Sequence, residues 1–304
     1  MSDRKDRLER FALAGFFRLC RAVPMGTALW MADRLGDLLF GLIRIRRTVT
    51  LDNLRASFPE KEEPELRAIA RRCYRGFART AVEFARLPGM DRRELLQRVE
   101  LDPLSRERIE RLRRMERGAI LLTGHYGNWE WVGALFPAIG LPARVVVGRQ
   151  RNREVEALMD RVRESCGLRV LNVEEDVREM IQALRRKEWI AIVADQDAGR
   201  DGIFIDFLGR PASTALGPVR LARRFGVPIL VGMGLHLPGG KVRLQLEEPT
   251  IVPQDGDEEA TIRRYTEWWS GLLERYVRER PDHWFWMHRR WKTQPGPAAG
   301  RKGG

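Results

Sequence analysis

The chain has 304 residues, 43% hydrophobic and 32% charged, which suits one large domain or two small ones and is too polar for a polytopic membrane protein. A formal charge of +13, carried mainly by arginine, fits nucleic acid, an anionic membrane surface or an acidic protein partner. Cys20, Cys73 and Cys166 are scattered, which argues against a disulfide framework or a zinc site and suits a reducing compartment.

Residues 1–10 are polar and charged, and from Phe11 to Ile43 the chain turns apolar. Arg18, Arg21, Asp33, Arg34 and Asp37 interrupt that run. A bilayer span needs about 20 predominantly apolar residues, and no window here supplies them without a charge or a proline. A secretory signal also fits poorly, because no small-residue cleavage site follows a clean apolar core. The pattern predicts two amphipathic helices that lie in a membrane interface or pack on the domain, followed by the basic cluster Arg44, Arg46 and Arg47. Pro59 ends a further helix, and Glu63 to Arg86 reads as a long amphipathic one. Its arginines Arg67, Arg71, Arg72, Arg75 and Arg79 read as a solvated face. Residues 91–116 are charged and helical in character.

The stretch from Ala119 to Glu130 reads as a buried strand, a glycine-flanked turn and the opening of a helix. His125 stands at the strand exit and Glu130 five residues on. On one continuous helix these positions would diverge by roughly 140°, so His125 must lie on the turn for Glu130 to reach it. Gly124 and Gly127 permit that bend. Histidine suits proton transfer near neutrality, and a carboxylate can hold its ring and stabilise the imidazolium. A bare His-x4-Glu is weak evidence, since a buried histidine beside an unrelated surface glutamate gives the same pattern.

Further core strands follow. Ala143 to Gly148 ends in Arg149-Gln150-Arg151-Asn152, where guanidinium groups could clamp phosphate or simply be solvated. Helices are expected at Val155–Cys166 and Val177–Arg186, with a short strand at Leu168–Leu171 between them. Trp189 to Asp197 is a buried strand with Asp195 and Asp197 at its carboxyl end. Such a pair could bind Mg²⁺, orient an arginine or cap a turn. The segment Gly202 to Pro218 places aromatic rings before a helix that Ser213 or Thr214 would cap. Pro228–Gly234 and Lys241–Leu246 are strands, the second alternating as at a sheet edge. His236 has no partner nearby in sequence and reads as structural. A helix over 258–279 precedes Trp284, Trp286, His288, Arg289, Arg290 and Trp291, a cluster suited to stacking with nucleic acid or to a membrane interface. From Thr293 the chain is Gly, Pro and basic, and disorder is expected. The expected division is N-terminal membrane-associating helices at 1–48, a catalytic domain at 49–292 and a tail at 293–304. Alternating helices and strands define an α/β fold with a mainly parallel central sheet flanked by helices.

The strand, Gly124-His125, Gly127-Asn128-Trp129-Glu130 and helix together resemble the His-x4-Asp/Glu block of glycerolipid-type acyltransferases, in the form seen in bacterial lipid A biosynthesis acyltransferases. The segment Val49 to Pro59, the Asp195-Gln196-Asp197 block, the Phe-rich Gly-x-Pro-Ala-x-Thr stretch and the ending Pro281 to Lys292 are similar to the same family in the same order. The resemblance implies transfer of a fatty acyl chain to a hydroxyl of a membrane-bound lipid A precursor. The implied donor is acyl-acyl carrier protein, with no cofactor or metal; acyl-CoA with a phosphatidylinositol mannoside or lysophospholipid acceptor is the alternative. It also implies an anionic membrane partner at the cytoplasmic face of the inner membrane, and no nucleic acid. His125 would be the general base and Glu130 its orienter, with backbone amides near Gly127 and Asn128 stabilising the oxyanion. Arg149 and Asn152 would contact substrate, and Asp195 would order that basic loop. Phe204, Phe207 and Arg210 would be exposed members of a pocket wall, and His288, Arg289 and Arg290 would contact substrate or headgroups. No serine or cysteine stands where a covalent nucleophile should be, so no acyl-enzyme is expected.

Overall fold

The computed structural model describes residues 2–296. The first part of the chain is helical, with α1 (Ser2–Ala22), α2 (Met25–Leu38), α3 (Arg47–Ser57), α4 (Glu63–Arg86) and α5 (Arg92–Arg98). Strand β1 (Val99–Leu101) and helix α6 (Pro103–Arg114) lead into an alternating region. That region runs β2 (Ala119–Thr123), α7 (Trp129–Ala138), β3 (Ala143–Val147), α8 (Arg153–Ser165), β4 (Arg169–Asn172), α9 (Val177–Arg185) and β5 (Trp189–Val193). The hairpin β6 (Ile203–Phe207) and β7 (Arg210–Thr214) follows, then α10 (Gly217–Phe225), β8 (Pro228–Leu237), β9 (Lys241–Leu246), β10 (Thr250–Ile251) and α11 (Glu258–Glu279).

The main sheet runs β1-β9-β8-β2-β5-β3-β4, with β10 on β8. Strands β8, β2, β5, β3 and β4 are parallel in turn, and β9 is antiparallel to β8. All five residues of β2 are buried, as a central strand covered on both faces requires. Their alternation divides the core. Ile120 and Leu122 pack with α9–α11 and the C-terminal tryptophans, while Ala119 and Leu121 pack with α7. Helix α4 reaches both sides, with Leu66, Ile69 and Tyr74 in the first cluster and Ala78, Val82 and Phe84 in the second.

Several expectations change here. Strand β9 is not an edge strand, because the short β1 pairs along its outer side. Ser213 and Thr214 do not cap α10. They end β7, paired with Phe204 and Ile203 at the open end of the β6–β7 hairpin, and α10 starts after Leu216. Arg67, Arg71 and Arg72 are exposed as expected, but Arg75 and Arg79 are half-buried: Arg75 holds Asp37, which exposed Arg71 also reaches, and Arg79 holds Asp33, each through both carboxylate oxygens. Two of the charges that interrupt the N-terminal apolar run, Asp33 and Asp37, therefore dock α2 onto α4. No helix among the described residues is long and apolar enough to cross a membrane. At the C-terminal end, Thr293 is bonded to Asp197, and the expected disordered tail otherwise lies mostly outside the described residues.

Candidate active site

The site forms where β2 and β5 end side by side. Their parallel register pairs Thr123 with Val193, so the residues two steps beyond, His125 and Asp195, emerge next to each other. The His125 Nδ1 lies 2.7 Å from Asp195 Oδ1, and the His125 backbone N–H donates to Oδ2 at 2.8 Å. The indole N–H of Trp284 donates to Oδ2 at 2.8 Å. Asp195 is 3% exposed. Burial alone would raise its carboxyl, but the His125 ring and these donors outweigh burial and hold it below the usual range. An ionised Asp195 accepts, so Nδ1 carries the proton and Nε2 is the basic nitrogen. Trp129 and Phe285 flank the ring with centroids at 5.0 and 6.0 Å.

Two glycines make this approach possible. A Cβ on Gly124 would come within 3.0 Å of Asp195 Oδ2. Gly127 has φ +56°, and a Cβ there would sit 1.7 Å from the Gly234 carbonyl oxygen, so no side chain fits.

Glu130, expected to hold the histidine, is taken by another partner. Arg163 on α8 donates to both its oxygens, at 2.8 and 3.1 Å. Arg163 also meets Asp160 at 3.1 Å. Burial would lower this guanidinium's pKa, yet Glu130 and Asp160 raise it instead. The expected oxyanion donors are engaged too. The Gly127 N–H donates to His283 O at 2.8 Å and the Asn128 N–H to Gly234 O at 2.9 Å. Asn128 instead caps α7, accepting the Trp131 N–H at 2.9 Å.

His125, Glu130 and Arg163 line a cavity of about 270 Å³ between the sheet and helices α7 and α8. Its apolar walls include Val132, Val145, Val147 and Met159, and Trp129, Arg149 and Gln196 also line it. Arg149 is paired with Glu175. Asn152 is elsewhere: it caps α8 and donates to Asp6 O and to Glu9, tying that loop to α1. The hydrogen bonds of Asp195 go to His125 and Trp284.

Phe207 is buried against Trp284 and Trp291, contrary to the exposed wall expected of it, and Phe204 is half-buried in the same strand. Arg210 stacks 3.5 Å from the centroid of Trp291. Arg290 is 1% exposed and donates to the carbonyls of Gln196 and Ser213 and to Thr214 Oγ1, so it clamps the hairpin. His288 Nε2 accepts the Asp197 N–H at 3.0 Å, and burial lowers its pKa. Of the C-terminal trio only Arg289 is exposed. None of Asn152, Phe204, Phe207, Arg210, His288, Arg289 or Arg290 lines the His125 cavity. The sequence marks Trp284 only as part of an aromatic cluster and does not mark Arg163, because their carboxylate partners are 89 and 33 residues away.

A mainly parallel α/β sheet with a carboxylate-held histidine at a strand exit, beside a cavity of mixed polar and apolar lining, has the layout of an α/β enzyme site. Residues 4–293 match the family described as bacterial lipid A biosynthesis acyltransferase, and the chain belongs to that family of acyltransferases. It is 26% identical over 264 residues to the lipid A biosynthesis lauroyltransferase of Escherichia coli K12, covering 86% of this chain and 84% of the relative. The lipid A biosynthesis myristoyltransferase of the same organism is 26% identical over 271 residues, 86% of this chain and 80% of the relative. A phosphatidylinositol mannoside acyltransferase of Mycolicibacterium smegmatis is 25% identical over 220 residues, 71% of this chain and 69% of the relative.

Proposed function

We propose that this acyltransferase moves a fatty acyl chain from the thioester of an acyl carrier protein to a hydroxyl of a lipid A precursor, with His125 as general base. The observation that carries this reading is the His125–Asp195 contact of 2.7 Å, which places the basic Nε2 on the side of the ring away from the carboxylate. Nε2 takes the proton of the acceptor hydroxyl as its oxygen attacks the thioester carbonyl. Asp195 stabilises the imidazolium that forms. Collapse of the tetrahedral intermediate breaks the carbon–sulfur bond, and the imidazolium returns its proton to the departing thiolate. The N-terminus of α7, where Trp129 and Glu130 line the cavity, supplies positive potential for the oxyanion in place of Gly127 and Asn128. Glu130 acts through Arg163, fixing α8 against α7 and the polar end of the cavity, while the apolar walls receive the chain. No acyl-enzyme is needed: burial pushes the Cys73 thiol up to about 12 and that of Cys166 up to about 11.

The acceptor lies in a membrane, and the N-terminal helices present a surface for one. Phe11, Trp30, Leu42 and Ile43 are 64%, 62%, 76% and 51% exposed, and Arg44, Arg46 and Arg47 follow Ile43 in the chain. This surface would hold the enzyme on the cytoplasmic face of the inner membrane. The match to phosphatidylinositol mannoside acyltransferases favours a second reading, with acyl-CoA as donor and a phosphoglycolipid as acceptor.

Mass spectrometry of a reaction holding purified protein, acyl-acyl carrier protein and a tetra-acylated lipid A precursor tests the reading. A gain of one acyl chain that disappears with His125→Ala is the expected result. A gain only with acyl-CoA and phosphatidylinositol mannoside would establish the second reading, and no gain with any acceptor would contradict both.

A further inference from the structure

Glu83 is a carboxylate in the middle of the protein. It lies on α4 with 1% of its surface exposed, beneath the turn that carries His125. An isolated buried carboxylate is costly, so its partners define what it does. The Asn128 amide donates to Glu83 Oε2 at 2.7 Å, and His236 Nε2 on β8 lies 3.1 Å from the same oxygen. The nearby Arg79 guanidinium is committed to Asp33.

The same turn of α4 makes two more contacts with the His125 segment. The Trp131 indole N–H donates to Glu83 O at 3.1 Å, and Thr80 Oγ1 donates to Gly127 O at 2.8 Å. From the other side β8 presses in, since a Cβ on Gly234 would meet Asn128 O at 2.8 Å. Asn128 joins the two elements: its oxygen holds the α7 N-terminus, while its amide is fixed on Glu83. A well-packed apolar residue at position 83 would serve stability as well, because buried charge rarely adds net stability. A polar cluster in which two side chains converge on one carboxylate oxygen serves geometry, fixing one register of the turn.

We propose that Glu83 and His236 are positioning residues for the acyl transfer, acting through Asn128 and Gly127 to set where His125 stands between Asp195 and the cavity. The inference rests on the general-base reading above. A misplacement of about 1 Å at a reacting group can cost about 100-fold in rate, so the effect belongs in kcat.

The test compares Glu83→Leu with Glu83→Gln, whose amide still offers an oxygen to Asn128. Glu83→Leu is expected to melt cooperatively, to lose about 100-fold in kcat at nearly unchanged KM, and to exchange the amides of residues 124–131 faster. Glu83→Gln is expected to recover most of the lost rate and protection. Should Glu83→Leu fail to fold, Thr80→Val and His236→Gln carry the same comparison. A folded Glu83→Leu with wild-type kcat and wild-type exchange would overturn the proposal, and so would equal losses in both substitutions. Absence of transfer by the wild-type protein would count against the functional reading alone, because the exchange measurement still decides whether Glu83 holds the turn.

Discussion

Two stretches of this chain share a composition and have opposite fates. The N-terminal run and the segment 281–292 both mix large apolar residues with arginine. In the first, Trp30 and Leu42 stand 62% and 76% exposed, and the charges Asp33 and Asp37 turn inward to α4. In the second, Trp284, Trp286, Trp291 and Arg290 are all buried, and only Arg289 and Lys292 keep their charge outside. Apolar and basic content does not tell inside from outside; what decides is whether each polar head finds a partner within the fold. Arg290 does so on two carbonyls and a hydroxyl. The large apolar side chains Phe11, Trp30, Leu42 and Ile43 instead stay at the surface, which is why a membrane is proposed to cover them.

The sharpest break of this comparison is Trp286→Ala against Trp30→Ala. Removing the fully buried Trp286 is expected to cost about 3–5 kcal/mol in denaturant unfolding, while Trp30→Ala stays within about 0.5 kcal/mol. The order reverses at a membrane. Leu42→Asp with Ile43→Asp is expected to weaken binding to anionic vesicles by at least about 10-fold without changing the melt, which co-sedimentation would read. Between the regions in size lies Trp284→Phe, which keeps an aromatic ring but removes the donor to Asp195. About 1 kcal/mol, or several-fold in kcat, is expected from the lost hydrogen bond, measurable by steady-state transfer. The smallest effect concerns the α2–α4 contact. Hydrogen bonds from Arg75 and Arg71 hold the Asp37 carboxyl well below the usual range. A folded-state pKa below the unfolded one stabilises above about pH 4 and loses that contribution as pH falls through the folded value. Asp37→Asn should therefore lower the unfolding free energy slightly near neutrality, by about 1 kcal/mol or less, and leave it unchanged in strong acid, which denaturant titrations at the two pH values would read.

Much of the fold was legible because period and punctuation are local. The strand–turn–helix unit at 119–130, the helix Glu63–Arg86 and the helix over 258–279 follow from apolar spacing, glycine and capping residues. The hairpin Ile203–Thr214 was missed because Gly209 and Pro211 read as loop punctuation, and β1 because three residues inside a charged helical stretch carry no period. Half of the site was legible in the same way. His125 and its cavity partner Glu130 are neighbours in sequence, so Glu130 looked like the orienter. Asp195 is a neighbour only in the sheet, 70 residues away. Strand order decides that, and a local pattern does not contain it. The same holds for Glu83 and His236, whose pairing joins a helix to a strand across 153 residues.

The central claim is that Asp195, and not Glu130, sets the state of the His125 ring. With four histidines in the chain, selective ¹⁵N labelling resolves each imidazole by NMR. The account predicts a strongly hydrogen-bonded Nδ1 proton on His125 that survives Glu130→Gln and disappears with Asp195→Asn, whose transfer rate falls on the order of 1,000-fold. A signal that survives Asp195→Asn and is lost with Glu130→Gln would contradict it.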